Sequence, residues 1–310
     1  MGQESDVLTT EQYFPDQNEP VDRWFQAKNA SNPRTTAELI KRYGGNGAGP
    51  IIDPFCGSGS TVSAARLLGR PCYGIEADPV LACISLAKAW ASVRLAAYLP
   101  TSPAMEPPDQ LVSALQQIRR SPGSEDVRVA AAMAVLSAFR DTEGSPLEAA
   151  VMADDLARWP GPVPSGGMIW GDALSAAAWT RLELPPTSAV MYTSPPFGPG
   201  SPAIDPPAYV RRAAVEVLTA CNADALGEAT PRFRGYAETV VEMLRQAATY
   251  LTRGTLIVEH EPDEQEVDGL SAVLDAVAGE FSDTIRSARL VSCGEFSGRG
   301  ILSLMIFSLR

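Results

Sequence analysis

The chain has 310 residues, of which 45% are hydrophobic and 20% are charged, as is usual for a globular protein with a sizeable core. Its formal net charge of −12 argues against broad electrostatic attachment to nucleic acid or to an anionic membrane, but leaves room for a local basic groove. No apolar run reaches the roughly 18 residues of a membrane span, and the first residues lack a signal-peptide pattern, so we expect a cytoplasmic protein.

Thiol, imidazole and metal chemistry find little support in the residue types. The five cysteines form no C-x-x-C pair, and His260 is the single histidine. His260 follows an apolar run in an acidic setting, which is a poor place for a catalytic base. We therefore predict reduced cysteines, no metal site and no Ser-His-Asp or Cys-His mechanism.

Residues 1–49 are predicted to form an N-terminal arm that either packs on the core or covers a ligand as a lid. The segment is polar and irregular, except for a helical pattern over 36–43 that Gly44 and Gly45 end. The main domain is then expected to occupy residues 50–310.

The stretch over 50–61, PIIDPFCGSGST, predicts a strand that ends in Asp53, a tight turn with Gly57 and Gly59, and the start of a helix. Glycines let the backbone approach a ligand, and amides at a helix start offer hydrogen bonds. Many strand-to-helix turns contain glycine for packing alone, so this pattern by itself is weak evidence for a nucleotide-like ligand.

A second strand, over 71–76, ends in Glu76, which lies 17 residues after Gly59. This spacing is close to the roughly 20 residues that place a carboxylate on ribose hydroxyls in dinucleotide folds. Asp78 stands directly before Pro79, as an N-cap stands before a first-turn proline. We therefore assign Glu76 to ligand binding and Asp78 to helix capping.

The alternation of strands and helices after residue 50 predicts a parallel sheet with right-handed crossovers. Residues 97–166 interrupt it as a proline-bracketed helical insertion that carries more acidic than basic residues. Further strands are predicted over 167–170, 189–193 and 255–259, and an antiparallel pair over 284–293 and 300–309.

Polar residues follow the third and fourth of these strands. Asp172, after the third, is either a turn residue or a ligand-binding group. Ser194-Pro195-Pro196-Phe197 follows the fourth, and two consecutive prolines cannot continue a central strand. They force a rigid turn at the carboxyl edge of the sheet, where open α/β sheets bind their ligands.

The segments DPFCGSGST, GIEADP, GDA and TSPPFG, in this order, resemble the S-adenosylmethionine-dependent DNA amino-methyltransferases, which methylate cytosine at N4 or adenine at N6. The resemblance covers about residues 30–260, with Ser60 where the family usually has threonine and Phe197 where tyrosine is more frequent. It implies an α/β, Rossmann-like class I methyltransferase fold with a mostly parallel seven-stranded sheet and a helical insertion.

The resemblance also implies roles for individual residues. Asp53 and the loop backbone would contact the methionine part of S-adenosylmethionine, Glu76 its ribose and Asp172 its adenine. The tetrad Ser194-Pro195-Pro196-Phe197 would accept the amino hydrogens of the target and stack on a flipped base. The cofactor set is Asp53, Pro54, Phe55, Cys56, Gly57, Ser58, Gly59, Glu76 and Asp172, and the catalytic set is Ser194, Pro195, Pro196 and Phe197.

Three hypotheses about the function remain open. The first is a base in DNA, with phosphate contacts from Arg211, Arg212, Arg232 and Arg234. The second is RNA, a peptide, or a small-molecule amine or amide, which suits the net charge of −12 better. The third is a binding module without turnover, which the intact tetrad disfavours.

Overall fold

The structure is a computed structural model in which seven strands form one sheet with helices on both sides. It describes residues 20, 31–45, 47–90, 107–121, 131–132, 134–135, 149–158, 166–185, 188–196, 204–221, 235–260, 267–296 and 300–310. The strands are β1 (Ile51–Asp53), β2 (Cys72–Glu76), β3 (Gly167–Trp170), β4 (Ala189–Thr193), β5 (Gly254–His260), β6 (Ile285–Phe296) and β7 (Gly300–Leu309).

One or more helices separate most of these strands along the chain. They are α1 (Pro33–Tyr43), α2 (Ser60–Leu67), α3 (Pro79–Trp90), α4 (Pro107–Arg120), α5 (Ala149–Arg158), α6 (Ala176–Arg181), α7 (Ala208–Cys221), α8 (Tyr236–Tyr250) and α9 (Val267–Glu280). None of the helices within the described ranges has the length and hydrophobicity needed to span a bilayer.

The strand order is β3-β2-β1-β4-β5-β7-β6. Strands β1 to β5 run parallel to one another, whereas β7 pairs antiparallel with both β5 and β6. Because parallel strands share one carboxyl edge, the ends of β1 to β5 lie along the same side of the sheet. The predicted α/β, Rossmann-like fold with a mostly parallel seven-stranded sheet is confirmed.

The two faces of the sheet carry different helices. On one face, α1 and α2 pack on strand residues such as Ile51 and Ile257. On the other, α6, α8 and α9 pack on alternate strand residues such as Ile52 and Leu256. All four strand residues are fully buried, so the central strands are apolar on both faces, as in a doubly wound sheet.

The described part of the N-terminal arm packs on the core through α1. Asn32 caps this helix, because its side-chain oxygen accepts hydrogen bonds from the amides of Arg34 (2.9 Å) and Thr35 (3.2 Å). Leu39 and Ile40 are buried against α2 and the sheet. The helix begins three residues earlier than the apolar pattern predicts, since Asn32 and the proline after it form an N-terminal cap.

Within the predicted insertion over 97–166, the described segments α4 and α5 are helical. They share an apolar cluster with α3 and α7, which includes Ile118 and Leu156. The cluster also includes Trp170 of β3, so it joins these helices to one edge of the sheet. The domain boundaries themselves remain a prediction.

Gly254, the first residue of β5, tests the fit of the central strands. Its φ is +147°, and a Cβ there would lie 2.0 Å from the carbonyl oxygen of Ala189 on β4. Since a backbone atom cannot move aside, Gly254→Ala should lower the free energy of unfolding by about 2 kcal/mol or more, measured by urea denaturation. Gly279→Ala is the control: nothing lies within 4 Å of that Cβ, so stability should hold or rise. Equal stability of the two variants would contradict this packing.

Candidate active site

The strand order reverses between β1 and β4, which is where open α/β sheets bind ligands. Asp53 ends β1 and Thr193 ends β4 at this point. The Thr193 hydroxyl donates a 2.6 Å hydrogen bond to Asp53 Oδ1, so the two strand ends are joined through side chains. The chain leaves β1 beside this bond as the glycine loop, residues 54–59, and leaves β4 as the Ser194-Pro195-Pro196 segment.

The glycine loop has the backbone conformation that its two glycines allow. Gly57 has a φ of +51° and Gly59 one of +86°, both in the left-handed region. A Cβ at Gly59 would lie 3.2 Å from the Cα of Ser85 on α3, so the helix packs closely on the loop. Ser85 Oγ also donates a 2.7 Å hydrogen bond to the Gly57 carbonyl, which fixes the loop further.

Three successive amides of the loop donate within the protein. Two of their acceptors are carboxylates at strand ends, so these amides help to hold the acids in place. These three amides are therefore taken by acceptors within the protein, whereas a phosphate-binding loop would present its amides to the ligand. The bonds run from Phe55 N to Asp53 Oδ1 (3.0 Å), from Cys56 N to the Ile75 carbonyl (3.1 Å) and from Gly57 N to Glu76 Oε2 (2.8 Å).

Glu76 lies half-buried at the end of β2, beside the glycine loop. Its Oε1 accepts the amide of Asp78 and its Oε2 the amide of Gly57, each at 2.8 Å. Each carboxylate oxygen has two acceptor positions, so both keep capacity for a ligand hydroxyl. Burial raises the pKa of Glu76 to about 7; the two amides oppose this rise, and the nearby acids Asp78 and Asp53 add to it.

Asp53 is 3% exposed. Burial raises the pKa of its carboxyl to about 6, although hydrogen bonds from Thr193, Thr61 and the Phe55 amide favour the ionised form. The negative charge of Glu259, on β5, raises this pKa further. Asp53 and Glu76, whose pKa values are both raised, therefore end the neighbouring strands β1 and β2 at this edge of the sheet, as is common at functional sites.

Two other acids at this edge shape the backbone. Asp78 Oδ1 accepts the amides of Val80 (2.8 Å) and Leu81 (3.1 Å), which confirms its predicted role as the N-cap of α3. Asp172 Oδ1 accepts the amide of Leu174 at 2.9 Å, so this side chain holds the turn after β3. An adenine-binding role for Asp172 remains a prediction beside that turn role.

The predicted catalytic tetrad begins at the carboxyl end of β4. Ser194 is half-buried, Pro195 is buried and Pro196 is exposed, so the segment passes from the core to the surface within three residues. Phe197 lies outside the described residues. The fold therefore brings the described part of the tetrad to the edge that carries Asp53.

The predicted phosphate contacts are only partly described. Arg211 on α7 forms a 3.0 Å ion pair with Asp78, so its guanidinium lies beside the turn that follows Glu76. Arg212 is exposed on the same helix. Arg232 and Arg234 lie outside the described residues.

Glu259 is a buried acid to which the sequence analysis assigns no role. It is 2% exposed near the end of β5, and the Tyr192 hydroxyl donates a short hydrogen bond to its Oε1. Ser31 Oγ also donates to the carboxylate, at 3.3 Å from Oε2. The sequence does carry a signal for this residue. Like Asp53 and Glu76, Glu259 is an acid near the carboxyl end of a parallel strand.

Cys56, Cys72 and Cys83 are buried and form no disulfide. Burial raises the pKa of Cys56, which lies in the glycine loop, and the neighbouring acids Glu76 and Asp53 add to this effect. A thiol in such a setting is a poor nucleophile. Within the described ranges no group of three or more histidines, cysteines or acids could hold a metal ion.

Comparison with solved structures finds methylases with low sequence identity. TrmN from Thermus thermophilus aligns at 12% identity with a TM-score of 0.38, over 94% of this chain and 52% of that protein. An rRNA methylase from Streptococcus thermophilus aligns at 11% identity with a TM-score of 0.37, over 92% and 100% respectively. Neither likeness identifies a substrate for this chain.

Comparison with curated proteins and family models relates the N-terminal part of the chain to DNA enzymes. The type II methyltransferase M.BsoBI of Geobacillus stearothermophilus is 31% identical over 68 residues, which are 22% of this chain and 13% of that protein. Residues 5–85 match the family model described as DNA methylase, for N6- and N4-directed enzymes. This match contains α1, β1, the glycine loop and Glu76, so this part of the chain is similar to N4/N6 DNA methyltransferases.

Proposed function

We propose that this protein is an S-adenosylmethionine-dependent N-methyltransferase that acts on an exocyclic amino nitrogen of a nucleobase in DNA, at cytosine N4 or adenine N6. One observation carries the proposal: the carboxyl edge of the sheet presents two carboxylates, Asp53 and Glu76, that amides of the glycine loop hold in place. Such an edge suits a nucleoside that carries positive charge, and it suits a phosphate poorly.

The residues of the loop fit this cofactor. Glu76 keeps an acceptor position on each oxygen, which matches the two hydroxyls of a ribose. Asp53 provides a buried negative charge next to the loop, suited to the cationic methionine part. When bound, S-adenosylmethionine supplies a methyl group that its sulfonium already activates.

The turn after β4 supplies the groups that face the target amine. The lone pair of an exocyclic amine is delocalised into the ring, so the site must favour a tetrahedral nitrogen. The Ser194 hydroxyl and the Pro195 carbonyl would accept the two amino hydrogens and hold the lone pair toward the methyl group. Pro195 and Pro196 fix the backbone at this place, and Phe197 would stack on the base.

The family match supports DNA as the target, because its model describes DNA methylases. The net charge of −12 favours a different acceptor with the same chemistry, namely an amine or amide of RNA, a peptide or a small molecule. The ion pair of Arg211 with Asp78 also leaves one fewer cation for phosphate than predicted.

Transfer of labelled methyl from S-adenosylmethionine to duplex DNA, RNA and a metabolite extract, tested side by side, decides between these acceptors. Label on cytosine N4 or adenine N6 of the DNA is the expected result. Label in another fraction with none in DNA would contradict the choice of substrate, and no label in any fraction would contradict the transferase proposal.

Changes in the two halves of the site should separate transfer from cofactor binding. Ser194→Ala combined with Phe197→Ala should lower the transfer rate at least ~100-fold, because both target contacts are lost, while the Kd for S-adenosylmethionine stays within about twofold. Glu76→Ala should instead weaken cofactor binding by about tenfold or more, since two hydrogen bonds to a charged acceptor are lost. Calorimetry and initial rates measure both, and loss of cofactor affinity in the first variant would mean that the target pocket is misplaced.

The raised pKa of Glu76, about 7, predicts a pH dependence of cofactor affinity. Above this pKa the carboxylate is ionised and accepts strong hydrogen bonds from the ribose hydroxyls. Below it, the protonated carboxyl is a weaker acceptor and holds the ribose less tightly. Affinity should therefore rise by up to about tenfold between pH 6 and pH 8, as the ionised fraction of a group with this pKa does. Glu76→Gln is the control and should flatten the profile. An equal slope in both proteins would show that another group is responsible.

A further inference from the structure

The last two residues of β4 are held from both sides by buried acids. Thr193 donates to Asp53 on β1, and Tyr192 donates to Glu259 on β5. The two carboxylates are 3% and 2% exposed, so neither bond competes with bulk water. Ser194 follows these residues directly.

The side-chain hydrogen bonds hold the end of β4 where the backbone pairing with β1 has already stopped. The register between β1 and β4 runs only as far as Ile52 opposite Met191, whereas that between β4 and β5 reaches Thr193 opposite Val258. On the β1 side, the end of β4 is therefore held by side chains beyond the last paired residue. On the β5 side, the bond between Tyr192 and Glu259 adds to the ladder.

Glu259 also joins β4 to the helices around the site. Its carboxylate accepts from Ser31, which lies just before the N-cap of α1. Its backbone carbonyl accepts from the hydroxyl of Tyr236, the first residue of α8, at 3.1 Å. One residue therefore connects β4, β5 and the starts of two helices on opposite faces of the sheet.

We propose that Glu259 is a positioning residue for methyl transfer, because its hydrogen bond with Tyr192 fixes the end of β4 and thereby the Ser194 and Pro195 acceptors. This proposal rests on the function proposed above. A carboxylate is used here because a charged acceptor makes a stronger bond with a phenol than a neutral one does. A small displacement of the acceptors lowers the rate of transfer while leaving the cofactor loop intact.

The first measurement does not depend on activity. Hydrogen exchange of the peptide that covers 190–194 is followed by mass spectrometry in the wild type, Tyr192→Phe and Tyr250→Phe. Tyr250 is the matched control, since its hydroxyl bonds Thr180 and the Ala176 carbonyl, away from β4. Exchange should become about tenfold faster in Tyr192→Phe alone. Equal exchange in all three proteins would overturn the proposal.

The second measurement is kinetic. In Tyr192→Phe and Glu259→Gln, kcat should fall about tenfold or more, while KM for DNA and Kd for S-adenosylmethionine stay within about twofold. The double variant should be no slower than the slower single variant, because Tyr192→Phe removes the same bond that Glu259→Gln weakens. An unchanged kcat, or additive losses, would overturn the positioning role. A wild type without transfer would contradict the proposed function alone, and hydrogen exchange would still decide whether the bond fixes β4.

Discussion

The site depends on the hydrogen bond between Thr193 and Asp53, which joins the two strands at the reversal of the sheet. Asp53 begins the glycine loop and Thr193 precedes Ser194, so this bond sets the distance between the proposed cofactor loop and the proposed target turn. Burial of the Asp53 carboxylate costs free energy and raises its pKa to about 6, and the hydrogen bond from Thr193 offsets part of that cost. The apolar faces of the central strands supply the stability that offsets this cost.

The loop amides explain why this turn differs from a phosphate-binding turn with a similar sequence. In a phosphate site the glycines free the amides for the ligand. Here the amides of Phe55 and Gly57 donate to Asp53 and Glu76. The glycine pattern is thus compatible with either ligand charge, and the acids that end β1 and β2 decide between them.

Much of the fold could be predicted from the sequence, because the parallel strands are short apolar runs that end at or just before an acid or a proline. Strands β3 and β4 have the predicted bounds, since Gly167 and Pro195 mark them. Helix α7 was not predicted, because its arginines suggest a solvated surface while its other face packs on α3. Glu259 was missed as well: its role depends on Tyr192, 67 positions earlier, and only the register of β4 with β5 brings the two together.

The central claim is that the carboxylates at this edge hold a sulfonium nucleoside. A crystal structure with S-adenosylhomocysteine, the product of methyl transfer in which the sulfur carries no charge, tests it most directly. The account predicts that both ribose hydroxyls donate to Glu76 and that the sulfur lies between the glycine loop and Ser194. A nucleoside bound elsewhere, or a ribose without contact to Glu76, would contradict it.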